Sequence, residues 1–245
     1  MPAVLETVRL SRTFGALAAA ADISVRVEED SVVGLIGGNG AGKTTFLNLI
    51  TGYLKPTAGR IVYRGKDITA LSPRQVTHLG ICRSFQIPQV FDSLSVIENL
   101  LVGTSVASPS DAEAAADALL ERFHLGPHRV ERAGVLPEGT RKLLDIAMAL
   151  VTRPAVLLLD EPTSGVSAEE KFALMDLVLG AIRKERVTVL FVEHDMDIVR
   201  RHAQRILAFH EGRVIADGPP GEVLDSAEVR RLIVGEEPHP AAARP

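Results

Sequence analysis

Gly37-Gly38-Asn39-Gly40-Ala41-Gly42-Lys43-Thr44-Thr45 is the stretch on which the reading of this chain turns. The apolar run Val32-Val33-Gly34-Leu35-Ile36 precedes it and reads as a buried strand. Phe46-Leu47-Asn48-Leu49-Ile50 follows and reads as the start of a buried helix. Strand, glycine loop and helix form the context that the phosphate-loop pattern G-x-x-x-x-G-K-[ST] requires. Glycines let backbone N–H groups approach phosphate oxygens with no Cβ in the way, and the helix start adds unpaired N–H groups and positive potential. Lys43 is placed to reach the β- and γ-phosphates of a nucleotide, and the Thr44 hydroxyl to ligate Mg²⁺. A glycine-rich turn that binds nothing would not need Lys and Thr at these offsets.

Outward from the loop, composition narrows the possibilities. The chain has 245 residues, 46% hydrophobic and 24% charged, as expected of one globular domain with a large core. A net charge of −4 argues against a nucleic-acid partner held through phosphates. The single Cys82 excludes a disulfide framework, and the His residues show no H-x-x-x-H pair of the kind that binds zinc. The N-terminus has no signal-peptide pattern, and no apolar run is long enough to span a bilayer.

Residues 4–10 and 22–28 alternate apolar and polar and read as antiparallel strands, with a turn at Ser11–Gly15. Downstream the pattern predicts a strand at 60–63, a helix from Ser72-Pro73, and a strand over 80–85 ending at Gln86. Helices follow over 96–102, 111–123 and 139–151, with a loop at 103–110 and a buried stripe of Leu143, Leu144, Ala147 and Leu150. Beyond them come strands at 155–160 and 187–192, with a helix at 168–182 between them. Strands near 205–210 and 213–216 and short helices at 219–223 and 227–233 complete the domain. The Pro- and Ala-rich residues 236–245 are expected to be a disordered tail. Strands alternating with helices predict a parallel sheet whose carboxyl ends bind the ligand.

Val156-Leu157-Leu158-Leu159 followed by Asp160-Glu161 forms a second motif, a Walker B pattern. It puts Asp160 at a strand tip, where Mg²⁺ or its water would lie, and Glu161 one residue beyond, where it can polarise an attacking water. Asp also caps helices, but downstream of a phosphate loop the metal reading is preferred.

With these motifs in this order, the chain resembles the ATP-binding subunit of an ATP-binding-cassette (ABC) transporter from roughly Leu5 to Gly235. The resemblance implies an α/β ATPase with a mixed central sheet, an N-terminal antiparallel β subdomain and a helical signature subdomain at about 87–153. It implies ATP and Mg²⁺ as cofactors and hydrolysis of ATP. It also implies that Phe14 stacks on adenine, that Gln86 senses Mg²⁺ and the membrane subunit, and that His194 contacts the γ-phosphate. Partners would be transmembrane permease subunits and a second ABC ATPase subunit, with the chain peripheral on the cytoplasmic face of the membrane.

The segments Gly80–Gln86, Val90–Leu100 and Gly218–Leu224 resemble importers of branched-chain amino acids, with urea and lipopolysaccharide-export ATPases as close relatives. One region departs from the family pattern. Where the signature is normally Leu-Ser-Gly-Gly-Gln, this chain has Leu136-Pro137-Glu138-Gly139-Thr140. Pro137 has neither hydroxyl nor N–H, and Glu138 brings negative charge toward a phosphate. Two such weak signatures in a homodimer would close poorly, so a heterodimer is favoured. The loop Ser164-Gly165-Val166-Ser167 also lacks the frequent final Asp.

Overall fold

The computed structural model describes residues 2–107, 109–183 and 185–235, so the tail expectation lies outside the described residues. The strands are β1 (Ala3–Phe14), β2 (Leu17–Ile23), β3 (Arg26–Glu28), β4 (Val32–Gly37), β5 (Ala58–Tyr63), β6 (Lys66–Asp67), β7 (Ile81–Ser84), β8 (Val156–Asp160), β9 (Thr188–Val192), β10 (Arg205–His210) and β11 (Arg213–Gly218). The helices are α1 (Lys43–Ile50), α2 (Pro73–His78), α3 (Val96–Ala107), α4 (Ala112–Arg122), α5 (Glu138–Leu150), α6 (Ala168–Arg183), α7 (Met196–His202), α8 (Pro220–Asp225) and α9 (Ala227–Val229).

Two sheets form. One is antiparallel, in the order β2-β1-β5-β6 with β3 also paired to β1; the other runs β11-β10-β4-β9-β8-β7. In the second, every pair from β10 to β7 is parallel and only β10–β11 is antiparallel. The architecture is thus the mixed α/β fold expected.

The apolar runs become central strands because both their faces are covered. Residues alternate between two cores, as the period of two requires. Val32, Ile36, Leu157, Leu159, Val189 and Phe191 pack on one side, with residues of α3 to α8. Val33, Leu35, Val156, Leu158, Leu190 and Val192 pack on the other, with α1 and the antiparallel sheet. The carboxyl ends of β4, β9, β8 and β7 therefore lie side by side along one edge, with Leu35 beside Val192, Val192 beside Asp160, and Leu159 beside Ser84.

Four local expectations need correction. The Ser11–Gly15 segment is not all turn: β1 runs on to Phe14, and the turn proper is Gly15-Ala16. The pairing passes register shifts at Leu10–Thr13, where the Ser11 hydroxyl accepts the Asp22 N–H at 2.9 Å, so polar residues sit in a bulged strand. The loop predicted at 103–110 is helical to Ala107. Val151 packs over Gly103, and the Thr104 hydroxyl donates to the Leu100 carbonyl at 3.1 Å. Leu143 is half-buried, whereas Leu144, Ala147 and Leu150 are buried as expected. The last helix gives way after Val229 to a wider π turn over Arg230–Val234, closed by Gly235 at φ 77°.

Capping chemistry sets helix starts as the sequence suggests. Ser72 and Gln75 form a capping box at α2, and Ser95 and Glu98 do the same at α3, with Ser95 N donating to Glu98 Oε2 at 2.7 Å.

Candidate functional site

The loop between β4 and α1 is shaped by glycines with positive φ: Gly37 at 151°, Gly40 at 76° and Gly42 at 107°. A Cβ on Gly37 would lie 2.4 Å from the Phe209 carbonyl oxygen, and one on Gly42 would lie 2.8 Å from that of Ala19. Gly38, Asn39 and Gly40 are exposed, and a Cβ on Gly38 or Gly40 would meet open space. The loop tip therefore stands open to solvent, while Ala41, Gly42 and Lys43 behind it are buried.

Lys43 is 6% exposed and donates from Nζ to the carbonyls of Gly37 at 2.7 Å and Gly38 at 3.0 Å. Burial pushes its ammonium below the usual lysine range, while Glu161 and Asp160 nearby pull the other way. Thr44 is exposed at the first turn of α1, and Thr45 is half-buried beside it.

Across from this loop Gln86, Glu161 and His194 converge. Glu161 lies just past β8, in a left-handed backbone conformation at φ 50°. Its two carboxylate oxygens have separate partners: Gln86 Nε2 donates to Oε2 at 2.7 Å, and His194 Nε2 meets Oε1 at 3.0 Å. Asp160, at the tip of β8, is buried and paired with Arg83, Nη2 to Oδ2 at 2.5 Å. Phe14 belongs to the antiparallel sheet. It stands half-exposed at the end of the β1–β2 hairpin, with the Arg12 guanidinium 4.5 Å from its ring centroid. Its hairpin reaches the loop through β2, whose Ala19 carbonyl lies against Gly42.

The donor set fits a magnesium nucleotide. Hydroxyl, carboxylate and amide oxygens from Thr44, Asp160 and Gln86 are the hard ligands Mg²⁺ takes alongside phosphate oxygens.

Four charged residues in this region escaped the sequence reading. Besides Arg83, these are Glu193, Lys142 and Asp145. Glu193 accepts from Thr163 N at 2.9 Å and Thr163 Oγ1 at 2.7 Å, and so ties the ends of β9 and β8 together. Burial raises its carboxyl above the usual range, against those hydrogen bonds. The available signal was a charge inside an otherwise apolar pattern. Arg83 interrupts the 80–85 strand, and Lys142 and Asp145 interrupt an apolar helix face.

The departing segment 136–140 also takes shape. Leu136 is buried, Pro137 is the N-cap of α5, and Glu138 begins the helix with its Cγ against Gly165. A carboxylate there complements the helix dipole.

The family model described as ABC transporter matches residues 20–164. The chain belongs to the ABC transporter ATP-binding proteins. These are ATPases, and the chain is an ATP-binding subunit of this class. The high-affinity branched-chain amino acid transport ATP-binding protein LivG of Salmonella typhimurium is 35% identical over 244 residues, covering 93% of this chain and 96% of LivG. BraF of Pseudomonas aeruginosa, with the same description, is 35% identical over 250 residues, covering 95% and 98%. Among solved structures, an ATP-binding cassette of an ABC transporter in its ADP conformation superimposes with a TM-score of 0.86 at 32% identity, covering 96% of this chain and all of that one. CbiO1 of Clostridium perfringens, part of the transporter complex cbiONQ, gives 0.84 at 31%, covering 94% of each chain. Among the described residues, no helix of this ABC subunit is long and apolar enough to cross a membrane.

Proposed function

We propose that this chain hydrolyses Mg-ATP at the cytoplasmic face of a membrane to drive a permease importing branched-chain amino acids or a similar small solute. The observation that carries the reading is the seating of Glu161 between Gln86 and His194, opposite a phosphate loop whose lysine is buried. The solute class rests on the likeness to LivG and BraF.

In this reading, the N–H groups of Gly37–Thr45 and the Lys43 ammonium hold the phosphates. Thr44, Asp160 and Gln86 face Mg²⁺, which when bound neutralises phosphate charge. Glu161 takes a proton from the attacking water, since its two present hydrogen bonds leave a lone pair free on each carboxylate oxygen. His194, half-exposed beside it, turns to the γ-phosphate, and Phe14 offers its ring to adenine. Residues 1–235 act as one ATPase domain, with 87–153 as the subdomain that meets the permease.

ABC subunits work in head-to-tail pairs, each phosphate loop facing the other's signature. Here Pro137 and Glu138 weaken the signature, which favours a heterodimer with one main hydrolytic site built on this chain's Lys43 and Glu161. The test is to change the catalytic glutamate of each subunit separately in the assembled transporter. Glu161→Gln is expected to keep ATP binding and stop turnover, and the matching change in the partner to be mild. Equal losses would overturn the asymmetry, and unchanged turnover with Glu161→Gln would overturn the role of Glu161.

A further inference from the structure

Helix α5 carries two buried charges three residues apart, Lys142 at 3% exposure and Asp145 at 6%. Residues at that spacing share a helix face. Burying a charge is costly unless it is fully engaged, and apolar residues would fill this core position at no such cost. Both groups are engaged, and with chosen partners. Lys142 Nζ donates to the Glu161 backbone carbonyl and to Ser164 Oγ, each at 2.8 Å. Asp145 accepts from Ser84 Oγ at 2.6 Å, Phe85 N at 3.3 Å and Gln89 N at 2.9 Å. Lys142 thus fixes the turn that carries Glu161, and Asp145 fixes the turn that carries Gln86. The two turns are joined again by the Gln86–Glu161 side-chain hydrogen bond. The result is a closed ring of contacts whose rigid member is α5. Glu161 needs this bracing, because a left-handed backbone is disfavoured for a residue with a Cβ.

We infer that Lys142 and Asp145 are positioning residues of the ATPase: from one helix they hold Glu161 and Gln86 in register, so a shift of α5 reaches both at once. The inference rests on the roles given above to Glu161 and Gln86. The same helix begins with Pro137 and Glu138, so a displacement at that helix start would reach the chain's own hydrolytic residues through Lys142 and Asp145.

The test measures turnover in the assembled transporter carrying Lys142→Met, Lys142→Arg, Asp145→Asn or Glu161→Gln in this chain. Leu144→Ala serves as a control that removes apolar volume from the same helix. Lys142→Met is expected to lower kcat by about ten- to a hundredfold, with KM for ATP nearly unchanged. Lys142→Arg should restore part of the loss, and Asp145→Asn should give a smaller loss of the same kind. Leu144→Ala should lower the melting temperature while leaving the kcat of folded protein within about twofold.

The second readout needs no nucleotide. In the free chain, Lys142→Met is expected to speed amide exchange at Phe85 and Gln89, which it does not touch, by about tenfold. Exchange faster only around Glu161 and Ser164, or kcat losses matched by Leu144→Ala, would overturn the inference. Should Glu161→Gln abolish turnover while Lys142→Met leaves kcat within about twofold, the positioning role falls and the proposed function stands. Should Glu161→Gln turn over normally, the function reading falls and this inference falls with it.

Discussion

Replacing Arg83 by Met removes the cation from a buried ion pair and tests how Asp160 is held. The Arg83 and Asp160 side chains are 5% and 6% exposed, so water can replace little of what is lost. Nη2 lies 2.5 Å from Asp160 Oδ2, and Nη1 lies 2.6 Å from Asn48 Oδ1 on α1. The variant leaves a buried carboxylate without its cation and an amide oxygen without its donor. Breaking such a pair costs about 3–5 kcal/mol, far above the ~1 kcal/mol ceiling of an exposed pair. At about 2–4 °C per kcal/mol for a chain of this size, the melting temperature should fall by roughly 6–20 °C. Arg83→Met, Asp160→Asn and the double variant, unfolded in denaturant without nucleotide, close a double-mutant cycle. The double variant should recover much of the loss, because its remaining group is neutral. Millimolar Mg²⁺ should also raise the melting temperature of Arg83→Met more than that of the parent, since a divalent ion can neutralise Asp160 in place of the guanidinium. A cost below about 1 kcal/mol, or an additive cycle, would refute the reasoning.

Lys43→Ala removes the ammonium that reaches the loop carbonyls and should weaken Mg-ATP binding by roughly ten- to a hundredfold in calorimetry, with the fold retained. Phe91 is half-exposed, while its backbone is held by Asn99 through both N–H and C=O. Phe91→Glu should therefore change stability by no more than about 0.5 kcal/mol yet uncouple ATP hydrolysis from transport in the assembled complex, and unfolding instead would mark it as a packing residue. His202 is buried with Nε2 unpartnered and Asp176 3.8 Å away. Burial lowers its pKa from the ordinary 6.5 against the pull of Asp176, with Arg201 and Arg183 adding to the lowering. Its contribution to stability is thus present above the unfolded value and lost as pH falls through the folded one, with a slope of at most about 1.4 kcal/mol per pH unit. His202→Gln should flatten that acid limb in denaturant titrations.

What could be read in advance follows from how each feature is written into the chain. The phosphate loop is legible because its backbone shape demands glycine at set offsets, and β8 because a strand buried on both faces must be apolar until it ends. Arg83, Lys142 and Asp145 were not legible as site residues. Their partners lie far off in sequence, Asp160 being 77 residues from Arg83 and Gln89 56 from Asp145, and a lone charge does not announce its counterpart. Ser11–Phe14 was misread because Ser and Thr suit turns by composition, while the bulge that keeps them in β1 depends on Asp22 across the hairpin.

The strand order has a consequence for how the chain is made. β4, which ends in the phosphate loop, is flanked by β9 and β10, so both its neighbours come from the last quarter of the described chain. Val32 at its start donates to Gln204 Oε1 across 172 residues. During synthesis, the loop that defines the site leaves the ribosome early and then waits without a ladder on either side. Long-range parallel pairing of this kind closes late and slowly. A nascent chain stalled before β9 would expose β4 as two bare edges, so nucleotide should stabilise the growing chain only once β9 and β10 have emerged.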